Sequence, residues 1–151
     1  MIEEKLDSLN IMLPTPPKPA GAYIPVVKTG NIVYVSGQIP IKEDKILFKG
    51  KVPSCQSLEQ AQEAAKLCVI NALAHLKSEL GDLDKISKIL RISGFVNSES
   101  DFTEQPRVIN SASNLLFEIF GEKGQHSRIA IGVASLPLGA TVEIDMIVEI
   151  N

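Results

Sequence analysis

The last thirty residues of the chain constrain its fold most strongly, because they predict two neighbouring β-strands. Arg128 to Ser135 and Ala140 to Ile150 flank a Leu-Pro-Leu-Gly turn. Successive side chains of a strand point to opposite faces of a sheet. In the second strand one face is therefore wholly apolar, and it consists of Ala140, Val142, Ile144, Met146, Val148 and Ile150. We expect this face to be covered by helices.

Two helices with clear ends are available to cover it. The first begins after Ser57, where Gln60 completes a capping box, and ends at Gly81. The second begins near Thr103, accepts Pro106 in its first turn and ends at Gly121. Residues 86–96 lie between the helices and have the pattern of a strand.

The first half of the chain predicts a hairpin preceded by an arm. Two short apolar runs, Tyr23 to Lys28 and Ile32 to Ser36, are separated by a Thr29-Gly30-Asn31 turn, and a short strand is expected at Ile46 to Phe48. Residues 1–20 are predicted to be an extended proline-rich N-terminal arm, because Leu13 to Gly21 carries four prolines. Residues 21–151 are then a single domain.

The element order ββαβαββ indicates an α+β two-layer sandwich, with a mixed sheet and two helices on one face. The second face of the sheet then lacks a cover. Ile89, Phe95 and Ile147 would face water there in a monomer, which favours a partner subunit.

Composition excludes several functional classes. A net charge of −3 and a pI near 5.4 argue against binding to nucleic acid, which usually needs a basic excess. The acidic start lacks the pattern of a signal peptide, and no apolar run has the length of a membrane span, so we expect a soluble cytoplasmic protein. Cys55 and Cys68 are not spaced as metal ligands, and we expect two buried or half-buried free thiols and no metal site.

Five short motifs resemble the Rid family, which is also called YjgF and was labelled endoribonuclease L-PSP. The motifs occur in the order of the family from residue 20 to residue 150: Gly21-Ala22-Tyr23, Ser36-Gly37-Gln38-Ile39-Pro40, Gly94-Phe95-Val96 with Asp101-Phe102, Arg128, and Glu143 fifteen residues later in Ala-Thr-Val-Glu-Ile. The proline-rich arm, and the residues GEKGQHSR in place of the family's usual segment, indicate a longer, divergent branch.

The resemblance implies a chorismate-mutase-like fold assembled as a homotrimer, with small-molecule sites in clefts between subunits. It also implies hydrolysis of reactive 2-imino or enamine acids to 2-keto acids and ammonia, without metal or cofactor. The alternatives are a non-catalytic trimer that binds keto acids or acts in stress, and an endoribonuclease, which the acidic composition disfavours.

Arg128 and Glu143 are the candidate catalytic residues. The guanidinium of Arg128 would bind the carboxylate of the substrate through two parallel hydrogen bonds, which a lysine cannot reproduce. The alternative is a surface or interface salt bridge. Glu143 would position or deprotonate the attacking water, and the alternative is a solvated or ion-paired strand residue, with Arg128 itself as a possible partner.

The candidate substrate-binding residues lie in the other motifs. Tyr23 would donate its hydroxyl or cover the cleft, or else lie in the core. Gly37 would allow a close approach to the ligand or mark a bulge. Ser36, Gln38 and Asn114 complete the set, with Asn110 as the less clear choice on the same helix. His126 is either a proton-transfer group beside Arg128 or an exposed loop residue, and His75 is expected at the surface.

Overall fold

The computed structural model describes residues 1–19 and 21–151. Its centre is a five-stranded sheet with the order β1-β2-β7-β5-β6, and two long helices pack on one face. A separate two-stranded hairpin, β3 with β4, follows β2. The elements are α1 (Ile2–Ser8), β1 (Val26–Thr29), β2 (Ile32–Gln38), β3 (Ile41–Lys42), β4 (Lys45–Ile46), α2 (Leu58–Leu80), β5 (Ile86–Asn97), α3 (Gln105–Phe120), β6 (Ser127–Val133) and β7 (Val142–Ile150).

The sheet is mixed, as predicted. β5 and β6 are parallel and are connected through α3, whereas the other neighbouring strands are antiparallel. Along β7 every second residue is buried, from Val142 to Ile150, and these side chains meet the apolar face of α2. The strict alternation in the sequence therefore corresponds to a sheet with one face covered by helices.

Both predicted helix ends of α2 are present. The Ser57 Oγ accepts a hydrogen bond of 3.1 Å from the Gln60 backbone N–H, and the Gln60 Oε1 accepts one of 2.8 Å from the Ser57 N–H. Gly81 ends the helix with φ at 77°, a left-handed conformation that favours glycine. None of the described helices combines the length and apolarity that crossing a membrane requires.

The N-terminal arm differs from the expectation that it is extended throughout. Ile2–Ser8 is an α-helix whose Leu6 is buried against the domain, while residues 11–19 form neither helix nor strand. Ile2, Leu6 and Leu9 pack against the core with helical spacing, but the prolines of residues 13–21 favoured an extended arm throughout. Ala20, which belongs to the predicted extended stretch, lies outside the described residues.

Three smaller expectations were wrong. Ile89 is fully buried under the helices, because β5 changes register between Ile89 and Arg91 and the bulge reverses the side-chain alternation. Of the two free cysteines, Cys68 is buried as expected but Cys55 is exposed. The short strand expected at Ile46 to Phe48 is β4, at Lys45–Ile46.

Candidate functional site

Arg128 lies on the helix-covered side of the sheet, near its edge. β6 is the edge strand, and its Arg128 is opposite Ile92 of β5, a residue that is fully buried beneath the helices. Residues paired in this way point to the same face. The side chain of Arg128 therefore leaves the sheet beside α3, where the polar side chains of that helix receive it.

Two side chains of α3 orient the guanidinium. The Arg128 Nη1 donates to the Ser113 Oγ at 3.0 Å, and the Nη2 donates to the Asn110 Oδ1 at 2.7 Å. Asn110 and Ser113 are three residues apart and so lie on the same side of the helix. This spacing was visible in the sequence, but Ser113 was missed because nothing in the sequence shows which side of α3 meets β6.

His126 extends this network. Its Nε2 lies 3.0 Å from the Ser113 Oγ, and its Nδ1 lies 2.6 Å from the Gly124 carbonyl oxygen. A carbonyl only accepts, so the Nδ1 carries the hydrogen and the Nε2 accepts from the Ser113 hydroxyl. Burial, and to a lesser degree the nearby Arg128 charge, lowers the pKa of His126, which keeps the ring neutral near pH 7. His126 precedes β6, and its half-buried ring lies beside Arg128 because both side chains contact Ser113.

The guanidinium carries a charge that no described carboxylate neutralises. Its acceptors, including the more distant Pro106 carbonyl at 3.5 Å, are all neutral, and none of the ion pairs among the described residues involves Arg128. The alternative of an intramolecular salt bridge with Glu143 therefore does not apply within one chain. A cavity of about 390 Å³ opens at this point, and we call it the Arg128 cavity; its walls include Asn110, Ser113, Phe117, His126 and Arg128.

A second cavity, of about 500 Å³, contains most of the other predicted site residues. We call it the Glu143 cavity. Its polar walls come from the end of β2, the start of β7 and helix α2, and residues 17–19 of the arm close one side. The predicted residues that line it are Tyr23, Ser36, Gly37, Gln38 and Glu143.

Glu143 is the reactive candidate in this cavity. It is opposite Phe95 in the register of β5 and β7, so it lies on the sheet face away from the helices, together with Asp145. Burial, and secondly the charge of Asp145, raises the pKa of the Glu143 carboxyl. A carboxylate of raised pKa is a better proton acceptor, and its environment favours the protonated form. Glu143 is thereby suited to exchange a proton with water.

The remaining predicted residues have different surroundings. The Tyr23 ring is half exposed at the rim of the Glu143 cavity. Ser36 donates its hydroxyl to the Ile24 carbonyl at 3.1 Å, and Gln38 donates to the Ser36 carbonyl at 3.0 Å. These two side chains hold the cavity wall. Asn114 lines a third cavity, between α2 and α3, which Asn110 also borders. The asparagine that binds Arg128 is Asn110.

Within one chain, Arg128 and Glu143 do not form one site. Arg128 aligns with Ile92 on one face of the sheet, and Glu143 aligns with Phe95 on the other face, three residues further along β5. The two side chains line separate cavities. A small substrate within a single chain therefore contacts only one of them.

Comparisons with known proteins agree with the fold. Protein TCP17 of Trypanosoma cruzi is 38% identical over 151 residues, covering 99% of this chain and 94% of that protein. A protein of Dermatophagoides farinae named 2-iminobutanoate/2-iminopropanoate deaminase is 29% identical and covers 93% of this chain and 95% of its own length. The crystal structure of protein Atu1372 from Agrobacterium tumefaciens, of unknown function, superimposes with a TM-score of 0.93 at 46% identity, over 99% of this chain and 92% of that one.

The family assignment follows from the extent of the match. The family described as "YjgF/chorismate mutase-like, putative endoribonuclease" matches residues 3–150, which is nearly the whole chain and includes the N-terminal helix. The chorismate-mutase-like fold implied by the motifs is thereby confirmed. The chain belongs to the YjgF/chorismate mutase-like family, the Rid family that its five motifs resemble.

Proposed function

We propose that this protein is a hydrolase that converts 2-imino and enamine acids to 2-keto acids and ammonia. The observation that carries the proposal is the guanidinium of Arg128, which neutral acceptors hold in a fixed orientation and which no described carboxylate neutralises. Such a group matches the planar carboxylate of a 2-imino acid. The relative named 2-iminobutanoate/2-iminopropanoate deaminase supports this choice of substrate class.

The chemistry needs a fixed carboxylate and one proton-transfer group. Water adds to the imine carbon, and the electron pair of the C=N bond moves to nitrogen, which takes a proton. The C–N bond of this adduct then breaks, ammonia leaves, and the hydroxyl loses its proton as the keto group forms. Glu143 accepts the proton of the attacking water and returns it to the leaving nitrogen.

We also propose that the complete site forms between subunits of a homotrimer. The argument is that Arg128 and Glu143 lie on opposite faces of the sheet in one chain. The face that carries Glu143 is also apolar and open: Tyr34 and Val27 are each 47% exposed and Ile131 is 44% exposed. Register places these side chains beside Ile147, Phe95 and Ile129 on the same face. An apolar face of this kind is typical of a subunit interface.

The first test is ammonia release from 2-aminoacrylate generated in situ. We expect Arg128→Ala to abolish the release while circular dichroism and thermal unfolding stay close to those of the wild-type protein. Unchanged turnover in a folded Arg128→Ala protein would rule out the proposed role of Arg128. Binding of 2-keto acids by the wild-type protein, without ammonia release above buffer, would favour the non-catalytic alternative.

The second test mixes two inactive variants. If each site takes Arg128 from one subunit and Glu143 from the next, then Arg128→Ala and Glu143→Gln chains co-assembled in one trimer form some sites with both native residues. We expect partial recovery of activity in the co-assembled protein and none when the separate variants are combined without subunit exchange. Absence of recovery in verified mixed trimers would contradict the shared site.

A further inference from the structure

His75 lies in the wall of the Glu143 cavity, and the expectation of a surface position for it was wrong. Only 6% of the residue is exposed. It lies one turn after Asn71 on the same side of α2. The Asn71 Nδ2 donates to the Ile39 carbonyl at 3.1 Å and to the Ile41 carbonyl at 2.9 Å. These bonds hold this side of the helix against the segment that forms the cavity wall, so the position of His75 is fixed by the fold.

The imidazole of His75 forms no hydrogen bond with the described residues, and its nitrogens are open to the cavity rather than enclosed by protein. The Glu143 carboxylate and the Tyr23 hydroxyl, in the same cavity, also form no hydrogen bond with any described side chain or backbone group. Most polar groups enclosed in proteins are hydrogen-bonded. Three polar groups that line one cavity without protein partners are therefore available to a polar ligand.

The surroundings of His75 define the chemistry of that ligand. Apolar side chains, among them Pro17, Ile39, Ile41 and Leu138, form much of the cavity wall. Burial lowers the pKa of His75, so its ring is neutral near pH 7. A neutral imidazole offers one donor and one acceptor. The complementary group is uncharged, carries both functions and is small enough to share the cavity with the reacting centre.

We propose that His75 forms a side-chain subsite of the candidate active site, and that it selects substrates with a short uncharged hydrogen-bonding side chain, such as a carboxamide. The inference rests on the proposed deaminase function and names its substrate class. The carboxamide donates to, or accepts from, the ring nitrogen that faces it, according to the tautomer. An aliphatic side chain of equal size leaves the imidazole unpaired, and sites built to bind a polar group discriminate strongly against such analogues.

The test uses two substrates of nearly equal shape. An amino acid oxidase generates the imines of asparagine and leucine in situ, and their hydrolysis is followed as kcat/KM. We expect the wild-type protein to prefer the asparagine-derived imine by about tenfold or more. His75→Leu should remove or reverse the preference, whereas His75→Gln, which keeps a donor and an acceptor, should retain most of it. The ratio of the kcat/KM values for the two substrates is independent of the fraction of protein that is folded.

Binding separates this inference from the proposed function. The affinities for 2-oxosuccinamate and 4-methyl-2-oxopentanoate, the matching keto acids, are measured by calorimetry in the same three proteins. The same preference in binding, lost in His75→Leu, would support the subsite even if neither imine were hydrolysed. Equal affinities and equal rates in the wild-type protein, or a ratio unchanged in His75→Leu, would overturn the subsite. Loss of turnover in Arg128→Ala would then still support the deaminase.

Discussion

Gly37 and Glu143 are in such close contact that a β-carbon on Gly37 would lie 2.6 Å from the Glu143 Oε1 and 3.0 Å from its Cδ. Gly37 lies where β2 changes register against β7, between Val35 and Gln38. The irregular strand and the missing side chain together let the carboxylate of Glu143 extend over β2 into the cavity. The glycine of the Ser-Gly-Gln motif therefore leaves room for the Glu143 carboxylate, a role that the neighbouring sequence does not reveal.

Gly37→Ala is expected to lower turnover much more than stability. The added methyl group meets the end of a flexible side chain, which moves away at little cost to the fold. The displaced carboxylate then no longer meets the attacking water, and a shift of about 1 Å costs on the order of 100-fold in rate. Turnover and thermal unfolding of the variant are the measurements.

Gly94→Ala is the matched control for this variant. A β-carbon at Gly94 would lie 2.6 to 2.9 Å from three carbon atoms of Ile109, a fully buried residue of α3. Overpacking of this kind costs about 1–3 kcal/mol. We expect lower stability and nearly normal turnover per folded molecule. Equal destabilisation by the two variants, or full activity of Gly37→Ala, would contradict this account.

Asn110→Ala is expected to weaken binding of a 2-keto acid by about tenfold, which corresponds to about 1.4 kcal/mol. The Asn110 Oδ1 holds the Arg128 Nη2 at 2.7 Å, and without it the guanidinium loses one of its two side-chain acceptors. Asn114→Ala, four residues along the same helix, removes an exposed amide that does not line the Arg128 cavity and should leave binding unchanged. Calorimetric titration of both variants measures the difference, and a larger effect at Asn114 would reverse the assignment.

Glu143→Gln should stabilise the protein near neutral pH. Burial and Asp145 raise the pKa of Glu143 above its unfolded value of about 4.3. Its contribution to stability is therefore fully present below pH of about 4.3 and is lost as the pH rises through the raised folded-state pKa. Glutamine is neutral throughout, so the gain over the wild-type protein should grow from about pH 4 upward. Urea unfolding between pH 4 and pH 8 measures it.

Glu118→Gln controls for the change in net charge, because Glu118 is exposed on α3 and removing it takes the same charge from the surface. A stability gain of Glu143→Gln that did not increase with pH would contradict burial as the cause. Glu143→Gln should also be inactive, because its amide cannot accept the proton of water.

Leu6→Ala is expected to release the N-terminal arm from the domain. Leu6 is 3% exposed and is the buried residue of α1. Replacing a buried leucine by alanine lowers the free energy of unfolding by about 2–5 kcal/mol. Hydrogen exchange of residues 2–9 should accelerate while the core strands stay protected. Because residues 17–19 wall the Glu143 cavity, KM should rise as well. Met12→Ala, at a side chain that is 90% exposed, should change neither the exchange rates nor KM.

Local patterns in the sequence were sufficient for most of the architecture. The alternation of β7, the capping box at Ser57 and the glycine at the end of α2 are short-range features, so they identify the elements without knowledge of their packing. Errors arose where tertiary contacts decide whether an element forms or which face a side chain occupies. α1 depends on the packing of Ile2 and Leu6 against the domain, and the face of Ile89 depends on a bulge in the pairing of β5 with β7.

The sequence by itself determined the two long helices, the strands of the main sheet, their order and the family, together with Arg128 and Glu143 as its two candidate catalytic residues. Only the tertiary structure decided which face each side chain occupies, because faces are set by register between strands that are distant in the chain. β5 lies between β6 and β7 and pairs with both. Arg128 is opposite Ile92 and points to the helices, whereas Glu143 is opposite Phe95 and points away from them. The same long-range packing placed Asn110, Ser113 and His126 around the guanidinium, and it placed His75 in the wall of the cavity that Glu143 also lines.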